Sequence, residues 1–267
     1  MNKSTLTHFL RQAGLMHAAD RLRFAIMRYR NRHTNRAFRV ANPTVALPPD
    51  GLMYEAFQLN YRKYYEDGLD TARWVQEHLA RHLELRNKHI LDWGCGPGRV
   101  IRHMPALLGE SCRFTATDYN PQSIEWCRQH LPGIEFLLNA MEPPLAAAAH
   151  TFDAVYGISI FTHLSAPGHQ KWYDELMRVT RPGGVLLFTT HGAAFRVVMT
   201  EAERATFDAD QVVIRRQVEE GHRLFAAFQP PVYLRELFGK QADILEHLPG
   251  QRQAGYAMQD VWLLQKR

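Results

Sequence analysis

Residues 91–100, LDWGCGPGRV, combine an acid with a glycine loop. Glycines directly after an apolar run let a backbone approach a nucleotide closely. A loop that binds a dinucleotide pyrophosphate has the spacing Gly-x-Gly-x-x-Gly and no nearby acid. Here the glycines are Gly94, Gly96 and Gly98, and Asp92 stands two residues before the first of them. The sign of the ligand's charge therefore decides what this loop can bind.

Asp92 favours a cationic ligand over a diphosphate. Two unit charges 4 Å apart interact by about 4 kcal/mol at an effective dielectric of 20, so one carboxylate can select the sign of a ligand. S-adenosylmethionine, which carries a sulfonium and an ammonium, fits. Asp118 ends the stretch RFTATD, 20 residues after Gly98, where an acid binds ribose hydroxyls in nucleotide-binding α/β folds. Together the two acids predict S-adenosylmethionine as the cofactor.

The motif resembles that of the class I S-adenosylmethionine-dependent methyltransferases, in the type 11 and type 12 style. The resemblance covers residues 70–191 clearly and the tail to residue 267 loosely. It implies that the glycine loop lies against the methionine part of the cofactor, that Asp92 faces its ammonium, and that Asp118 holds its ribose. The residues implied to bind the cofactor are Asp92, Gly94, Cys95, Gly96, Gly98, Asp118, Tyr119, Asn139, Ala140, Gly157 and Ile158.

One of these residues departs from the family pattern. The family usually has an aspartate where Asn139 stands, and that aspartate accepts a hydrogen bond from the adenine amino group. The amide oxygen of Asn139 can accept the same hydrogen bond, and Ala140 can offer its backbone N–H. The resemblance further implies that Tyr119 flanks the adenine and that Gly157 and Ile158 follow the fourth strand near the cofactor.

Alternating apolar stretches and helical patterns predict the fold. Apolar runs that alternate with helices imply right-handed crossovers and a mostly parallel sheet covered on both faces. We predict an α/β, Rossmann-like, doubly wound sheet of seven strands with the last strand antiparallel. The predicted strands are HILDWG, RFTATD, IEFLLN, FDAVYGIS, GVLLFTTHG, ADILEHL and DVWLLQKR.

The remaining segments predict two additions to this domain. Residues 1–50 read as a basic helical extension, with helices over residues 4–30 and a proline-rich linker over 41–51, and residues 51–267 as the methyltransferase domain. Residues 52–85 read as helical with a break near Asp67-Gly68. Within the domain, residues 193–229 contain a hairpin, QVVIRR and RLFAAF, that we expect to cap the substrate. Arg196, Arg215 and Arg216 belong to this insertion.

Two histidines are candidates for a general base. Methyl transfer is an in-line displacement, in which the protein positions the nucleophile and removes a proton. Histidine suits that role because its pKa lies near neutrality. His191 ends the fifth strand and is the first candidate, and His163 follows the fourth strand and is the second. A structural role, capping a helix or bonding to backbone, is the alternative for each.

The charge of the chain is concentrated at its start. Residues 1–40 hold nine Lys or Arg against one acid, a net charge of +8, while the other 227 residues hold 23 basic and 26 acidic residues, a net charge of −3. This arm could meet an anionic partner, namely a membrane surface, a nucleic acid or a phosphorylated substrate, or it is a solvated face. No apolar run has the length of a membrane span or a signal peptide, and the three cysteines form no metal-ligand spacing. We expect a cytoplasmic protein with reduced thiols and without a metal site.

These observations predict a methyltransferase that acts on oxygen or nitrogen of a small-molecule or glycan-pathway acceptor. Two alternatives remain open. The enzyme could modify RNA or a phosphorylated carrier held by the basic arm, or the protein could bind S-adenosylmethionine as a regulator without transferring its methyl group.

Overall fold

The computed structural model describes residues 16–215, 218–253 and 256–267. The start of the predicted N-terminal helix, with Lys3 and Arg11, and Arg216 in the insertion lie outside these residues. The chain divides into two compact units, residues 1–69 and 70–267. The division falls inside a helix, beyond the end of the linker at residue 51.

The described part of the first unit is helical. Helices α1 (Met16–Ala41) and α2 (Asp50–Ala56) precede α3 (Tyr61–Ala80). The predicted break near Asp67-Gly68 is wrong, since α3 runs through it and the interruption lies at residues 57–60. Asn60 explains this position, because its Oδ1 accepts a hydrogen bond from the Lys63 backbone N–H and caps the new helix. The unit has its own apolar core, formed by Phe38, Met53, Tyr54, Leu59, Tyr61 and Tyr64.

Strands and helices alternate through the second unit. The first half holds β1 (His89–Trp93), α4 (Met104–Leu108), β2 (Arg113–Asp118), α5 (Pro121–His130), β3 (Glu135–Leu138), β4 (Phe152–Gly157), α6 (Ala166–Val179) and β5 (Thr180–Thr190). The second half holds α7 (Glu201–Asp208), β6 (Val213–Arg215), β7 (Ala226–Phe228), α8 (Pro231–Phe238), β8 (Ala242–Leu248), β9 (Arg252–Gln253), β10 (Tyr256–Ala257) and β11 (Asp260–Lys266).

Seven of these strands form one sheet, in the order β3-β2-β1-β4-β5-β11-β8. The pairs from β3 to β5 are parallel, and β11 lies antiparallel between β5 and β8. The predicted seven-stranded, Rossmann-like sheet with an antiparallel last strand is confirmed. The strand order reverses between β1 and β4, so the switch point where such folds bind ligands lies beside the glycine loop.

The insertion has more regular structure than its sequence pattern predicts. A 3-10 helix (Ala193–Val198) and α7 precede the pair β6 and β7, which is antiparallel as the alternating stretches predict. Thr200 and Glu203 form a capping box that starts α7. The insertion has its own small core, formed by Met199, Phe207, Val213 and Phe228.

Among the described residues, no helix is both long and apolar enough to cross a membrane.

Candidate functional site

The glycine loop turns sharply at the carboxyl end of β1. The backbone N–H groups of Gly94 and Cys95 both donate to the carbonyl oxygen of Thr117, at 2.8 and 2.9 Å. Gly94 has a φ of +80°, and a Cβ atom at this position would overlap the side chain of Ile160. Both observations require glycine there. The loop backbone is therefore held against the end of β2, beside the switch point.

Asp118 ends β2 and lines a cavity. Its Oδ2 accepts a hydrogen bond from the Gly96 backbone N–H, and its Oδ1 accepts one from the Asn120 N–H, both at 2.8 Å. Two backbone donors therefore fix the orientation of the carboxylate. Each oxygen has a second lone pair, so the carboxylate can also accept hydrogen bonds from two adjacent hydroxyls of a ligand.

Asp92 differs from Asp118 because it is buried in the middle of the sheet. The residue is 4% exposed, and its Oδ2 accepts a hydrogen bond from the Tyr156 hydroxyl at 2.9 Å. Burial raises its pKa to about 7, against the hydrogen bond from Tyr156 and the charge of Arg99, which lower it. Near neutral pH the carboxyl is thus only half ionised, and a nearby cation would favour its ionised form. Asp92 lies at the end of β1 but does not line the cavity.

The cavity measures about 440 Å³, including the part that is open to solvent. Five of the eleven residues expected to bind cofactor line it. Six of the other lining residues were not predicted from the sequence, and five of those are large apolar side chains. The lining consists of Trp93, Gly94, Asp118, Tyr119, Asn139, Ala140, Met141, Ile160, His163, Leu164, Trp172 and Gly221.

Asn139 lines this cavity and has an unsatisfied acceptor. Its Nδ2 donates to the Ala140 carbonyl oxygen at 2.7 Å, which fixes which end of the amide is oxygen. Its Oδ1 is buried and has no hydrogen-bond partner among the described residues. A buried acceptor of this kind is costly unless a donor meets it. An exocyclic amino group such as that of adenine would supply the donor, so the residues present fit an adenosyl ligand.

Two tryptophans form much of the apolar wall. Trp93, at the end of β1, and Trp172, on α6, have ring centroids 5.3 Å apart, and the Trp172 indole N–H donates to the Met141 carbonyl oxygen at 2.9 Å. Trp93 is the variable position of the first motif, and Trp172 is 79 residues further along the chain. The two side chains come together only in the folded chain, so no sequence pattern predicts that both line the cavity.

The insertion closes one side of the cavity. The Tyr119 hydroxyl donates to the Gly221 carbonyl oxygen at 3.1 Å, and the Gly221 N–H donates to the His163 carbonyl oxygen at 2.9 Å. Glu220 accepts hydrogen bonds from the backbone N–H and the hydroxyl of Ser165, at 2.7 and 2.9 Å. The insertion is therefore fastened to the end of β2 and to the segment after β4.

His163 lines the cavity, on the short 3-10 helix Phe161–His163. Its Nδ1 lies 2.9 Å from the Phe225 carbonyl oxygen, an arrangement that requires a proton on Nδ1. The other ring nitrogen, Nε2, then carries the lone pair. Burial lowers the pKa of the imidazole, so the ring is neutral near pH 7 and can accept a proton.

His191 follows β5 outside the cavity lining, although it is also bonded to the insertion. Its Nδ1 lies 3.1 Å from the Ala227 carbonyl oxygen, and its ring packs on Phe195 and Phe228 at centroid distances of 4.1 and 5.3 Å. Burial and the neighbouring His163 lower its pKa to about 3. A base this weak accepts protons poorly at neutral pH.

The other expected cofactor residues surround the loop without lining the cavity. Burial raises the pKa of the Cys95 thiol well above its ordinary value. Gly98 has a φ of +74° and packs against Leu131. Gly157 ends β4, where a Cβ atom would come within 2.7 Å of the Trp93 ring. Gly96 donates to Asp118, and Ile158 directly follows β4.

Part of the chain is similar to known methyltransferases. Residues 90–184 match the family model described as a methyltransferase domain. A phthiotriol/phenolphthiotriol dimycocerosates methyltransferase of Mycobacterium ulcerans is 30% identical over 128 residues, which are 47% of this chain and 46% of that protein. A fatty-acid O-methyltransferase of Mycolicibacterium smegmatis is 32% identical over 132 residues, which are 49% of this chain and 46% of that protein. The chain thus spans about half the length of these relatives.

The fold of the chain is also similar to that of a known methyltransferase. The crystal structure of an S-adenosylmethionine-dependent methyltransferase from Methanosarcina mazei matches with a TM-score of 0.55 and 19% identity, over 71% of this chain and 96% of that one. The strand order, the glycine loop with its two acids, and the family match lead to one conclusion. Residues 90–184 carry a methyltransferase domain, and the chain has the fold of the class I S-adenosylmethionine-dependent methyltransferases, a family whose cofactor is S-adenosylmethionine.

Proposed function

We propose that this chain transfers the methyl group of S-adenosylmethionine to an oxygen or nitrogen of a small-molecule acceptor. One observation carries the proposal. A cavity beside the switch point is lined by a carboxylate, Asp118, and by a residue whose buried amide oxygen is unsatisfied, Asn139. These are the two acceptors that an adenosine moiety needs, one for its ribose hydroxyls and one for its amino group.

In this proposal three polar side chains bind the cofactor. Asp118 accepts from the ribose hydroxyls, and Asn139 accepts from the adenine amino group. Asp92 interacts with the positive charge of the methionine part, directly or through water. Bound S-adenosylmethionine supplies a methyl group on a sulfonium, a leaving group that needs no further activation, so the protein's remaining tasks are to position the acceptor and remove its proton.

We assign proton removal to His163 before His191, which reverses the order that strand positions alone favour. His163 lines the cavity and has its Nδ1 proton committed to the Phe225 carbonyl, so its Nε2 can accept a proton. His191 has the same kind of bond to Ala227, but it lies outside the lining and its pKa is about 3. It therefore has a positioning role in the insertion's small aromatic cluster.

Among relatives that also include tRNA-modifying enzymes, two favour an oxygen acceptor on a lipid-like molecule. One is named for fatty-acid O-methylation and another for phthiotriol dimycocerosates. The apolar wall with Trp93, Ile160 and Trp172 supports an acceptor or cofactor surface with little charge. A glycan-pathway acceptor remains the second choice. The buried thiols of Cys95, Cys112 and Cys127, none in a disulfide, favour a cytoplasmic location.

Calorimetric titration with S-adenosylmethionine, followed by a mass-based screen of acceptors, tests the proposal. We expect micromolar binding, and a loss of at least about 100-fold in affinity in Asp118→Asn, because hydrogen bonds to a charged acceptor are among the strongest. Asp153→Asn is the matched control, since Asp153 also accepts a backbone N–H, from His89 at 2.8 Å, but lies outside the cavity. We expect this control to bind like the wild type.

Wild-type protein that shows no binding at millimolar S-adenosylmethionine would contradict the proposal. Tight binding without methyl transfer to any fatty acid, hydroxylated lipid or glycan precursor would instead favour a regulatory protein. Methylation of RNA alone would favour the macromolecular alternative.

A further inference from the structure

Helix α1 exposes an apolar stripe on the side that faces away from its own unit. Leu22, Ile26, Tyr29 and Val40 are 63%, 46%, 66% and 76% exposed. At 100° per residue these four positions fall within about 60° of one another around the helix. Large apolar side chains gathered on one exposed face indicate an interaction surface more strongly than scattered ones do.

The opposite side of α1 is already used. Phe38 is buried in the core of the first unit, and Phe24 and Met27 pack against that core. Asn35 lies on the same side and accepts the Tyr61 backbone N–H at 2.9 Å. Helix α1 therefore packs on the core of its unit with one face, and the stripe is a second apolar face that lies outside that core.

Arginines flank the stripe on both sides. Within the described residues of α1, seven arginines stand against a single acid, Asp20: Arg21, Arg23, Arg28, Arg30, Arg32, Arg36 and Arg39. By helical position, Arg32, Arg36 and Arg39 lie along one edge of the stripe and Arg23 and Arg30 along the other. Arg28 pairs with Asp50 at 3.1 Å.

Most of this charge is available to a partner. Arg21, Arg23, Arg30 and Arg36 are exposed, and within the ranges that the structure describes none of them forms an ion pair. Arg32 lies over the Tyr29 ring, 3.7 Å from its centroid, so one guanidinium already borders the stripe. A strong positive field thus surrounds an apolar surface that runs about 10 Å from Leu22 to Tyr29, at 1.5 Å per residue, and Val40 lies on the same face beyond His33.

We propose that α1 binds the surface of an anionic lipid bilayer. The stripe with Leu22, Ile26 and Tyr29 would enter the boundary between headgroups and acyl chains, and the flanking arginines would meet lipid phosphates. An apolar face bordered by basic residues is the pattern of helices that lie in the plane of the interface. Anionic headgroups attract each basic side chain near the surface, and added salt weakens that attraction.

Two other partners fit the surface less well. A nucleic acid would satisfy the arginines, but its phosphate backbone would leave the aliphatic stripe exposed. A second copy of the chain could cover the stripe, but a symmetric contact would bring its arginine rows against those of the partner, and like charges repel. A bilayer with anionic lipids matches both the apolar and the charged features.

This inference does not depend on the proposed methyl transfer, and its test reads binding alone. The full chain is mixed with vesicles of phosphatidylcholine, or of phosphatidylcholine and phosphatidylglycerol in a two-to-one ratio, and the bound fraction is measured by flotation. We expect binding to the mixed vesicles at least about tenfold tighter than to the neutral ones, and weakened when the salt rises from about 0.1 to 0.5 M.

Matched variants distinguish binding through the stripe from nonspecific hydrophobic binding to the vesicles. The triple variant Leu22→Ser, Ile26→Ser and Tyr29→Ser should bind the mixed vesicles at least about tenfold more weakly, because the apolar contribution is removed. The control variant Val197→Ser with Val198→Ser removes two exposed apolar side chains of the insertion, 49% and 47% exposed, and should bind within about twofold of the wild type. All the changed side chains are exposed, so melting temperatures should be unchanged.

A second readout does not depend on these variants. In Tyr29→Trp, the emission attributable to the new indole should shift to the blue with mixed vesicles and stay unshifted with neutral ones. Three results would overturn the proposal: no preference for anionic vesicles, a triple variant that binds as tightly as the wild type, or an unshifted indole. Binding of single-stranded RNA or a dimer in light scattering, without vesicle binding, would overturn it in favour of those partners.

Discussion

The cavity has two sides that are assembled in different ways. The side at the ends of β1, β2 and β3 comes from residues 93–141 and is held by backbone hydrogen bonds to Asp118 and Thr117. The other side comes from the segment after β4 and from the insertion, which are about 60 residues apart and meet through Phe225 and His163. The first side is thus built on the sheet, and the second depends on a docked insertion. We infer that the sheet side recognises the shared cofactor and the docked side determines the acceptor and its deprotonation.

On the docked side, His163 and His191 should differ strongly in their contribution to turnover. His163→Asn keeps a donor where Nδ1 was and removes Nε2, so the bond to Phe225 can survive while the proposed base is lost. We expect kcat to fall by about 100-fold, as for loss of a general base, with cofactor affinity within about threefold of the wild type.

His191→Asn is the matched control, because it makes the same exchange at a histidine with the same kind of backbone bond. We expect its kcat to stay within about threefold of the wild type. Steady-state kinetics with the identified acceptor measure both variants. The reverse order of effects would restore His191 as the base, and no effect in either would mean that the acceptor needs no base.

On the sheet side, the pKa of Asp92 should make the affinity for S-adenosylmethionine depend on pH, a smaller effect than the loss of the base. Because that pKa is about 7, the carboxyl is mostly protonated at pH 6 and mostly ionised at pH 7.5. A cationic ligand binds the ionised form, so affinity for S-adenosylmethionine should rise by up to about eightfold between these pH values. The ligand's own α-amino group, with a pKa of about 8, stays largely protonated in this range. Calorimetry at pH 6, 6.5, 7 and 7.5 measures the rise.

The control for this rise is Asp92→Asn, which should bind about tenfold more weakly at pH 7.5 and show no pH dependence. Asp92 should also make the stability of the ligand-free protein depend on pH. Its folded form holds a proton on Asp92 between about pH 4 and 7 that the unfolded chain releases, so this group makes the free energy of unfolding fall as pH rises through that range. Asp92→Asn should remove that fall. A wild-type affinity that is flat with pH would show that Asp92 does not interact with the ligand's positive charge.

The same contrast between the two sides explains what the sequence could predict. The seven strands follow from apolar periodicity, and the glycine loop and Asp118 follow from spacing within one βαβ unit, so these features depend on residues near one another in the chain. The sequence also predicts a role for the Asp92 carboxyl group in cofactor binding, but it does not predict that this group is half protonated near neutral pH. The half-protonated state results from burial between β2 and β4, which is a property of the folded sheet.

The docked side could be predicted less well. Tyr119 and Gly221 are 102 residues apart, and no sequence pattern around either residue predicts the hydrogen bond between them. Strand positions alone could not rank His163 against His191, because the ranking depends on which ring reaches the cavity. One missed element did have a local signal: Thr200 and Glu203 have the spacing of a capping box, which predicts the start of α7.

A crystal structure with bound S-adenosylhomocysteine tests most directly whether the sheet side holds the cofactor. We expect both ribose hydroxyls within hydrogen-bond distance of the Asp118 carboxylate, the adenine amino group on Asn139 Oδ1, and the sulfur facing the side that carries His163. An adenosyl group bound elsewhere, with Asp118 bonded only to Gly96 and Asn120, would contradict this expectation.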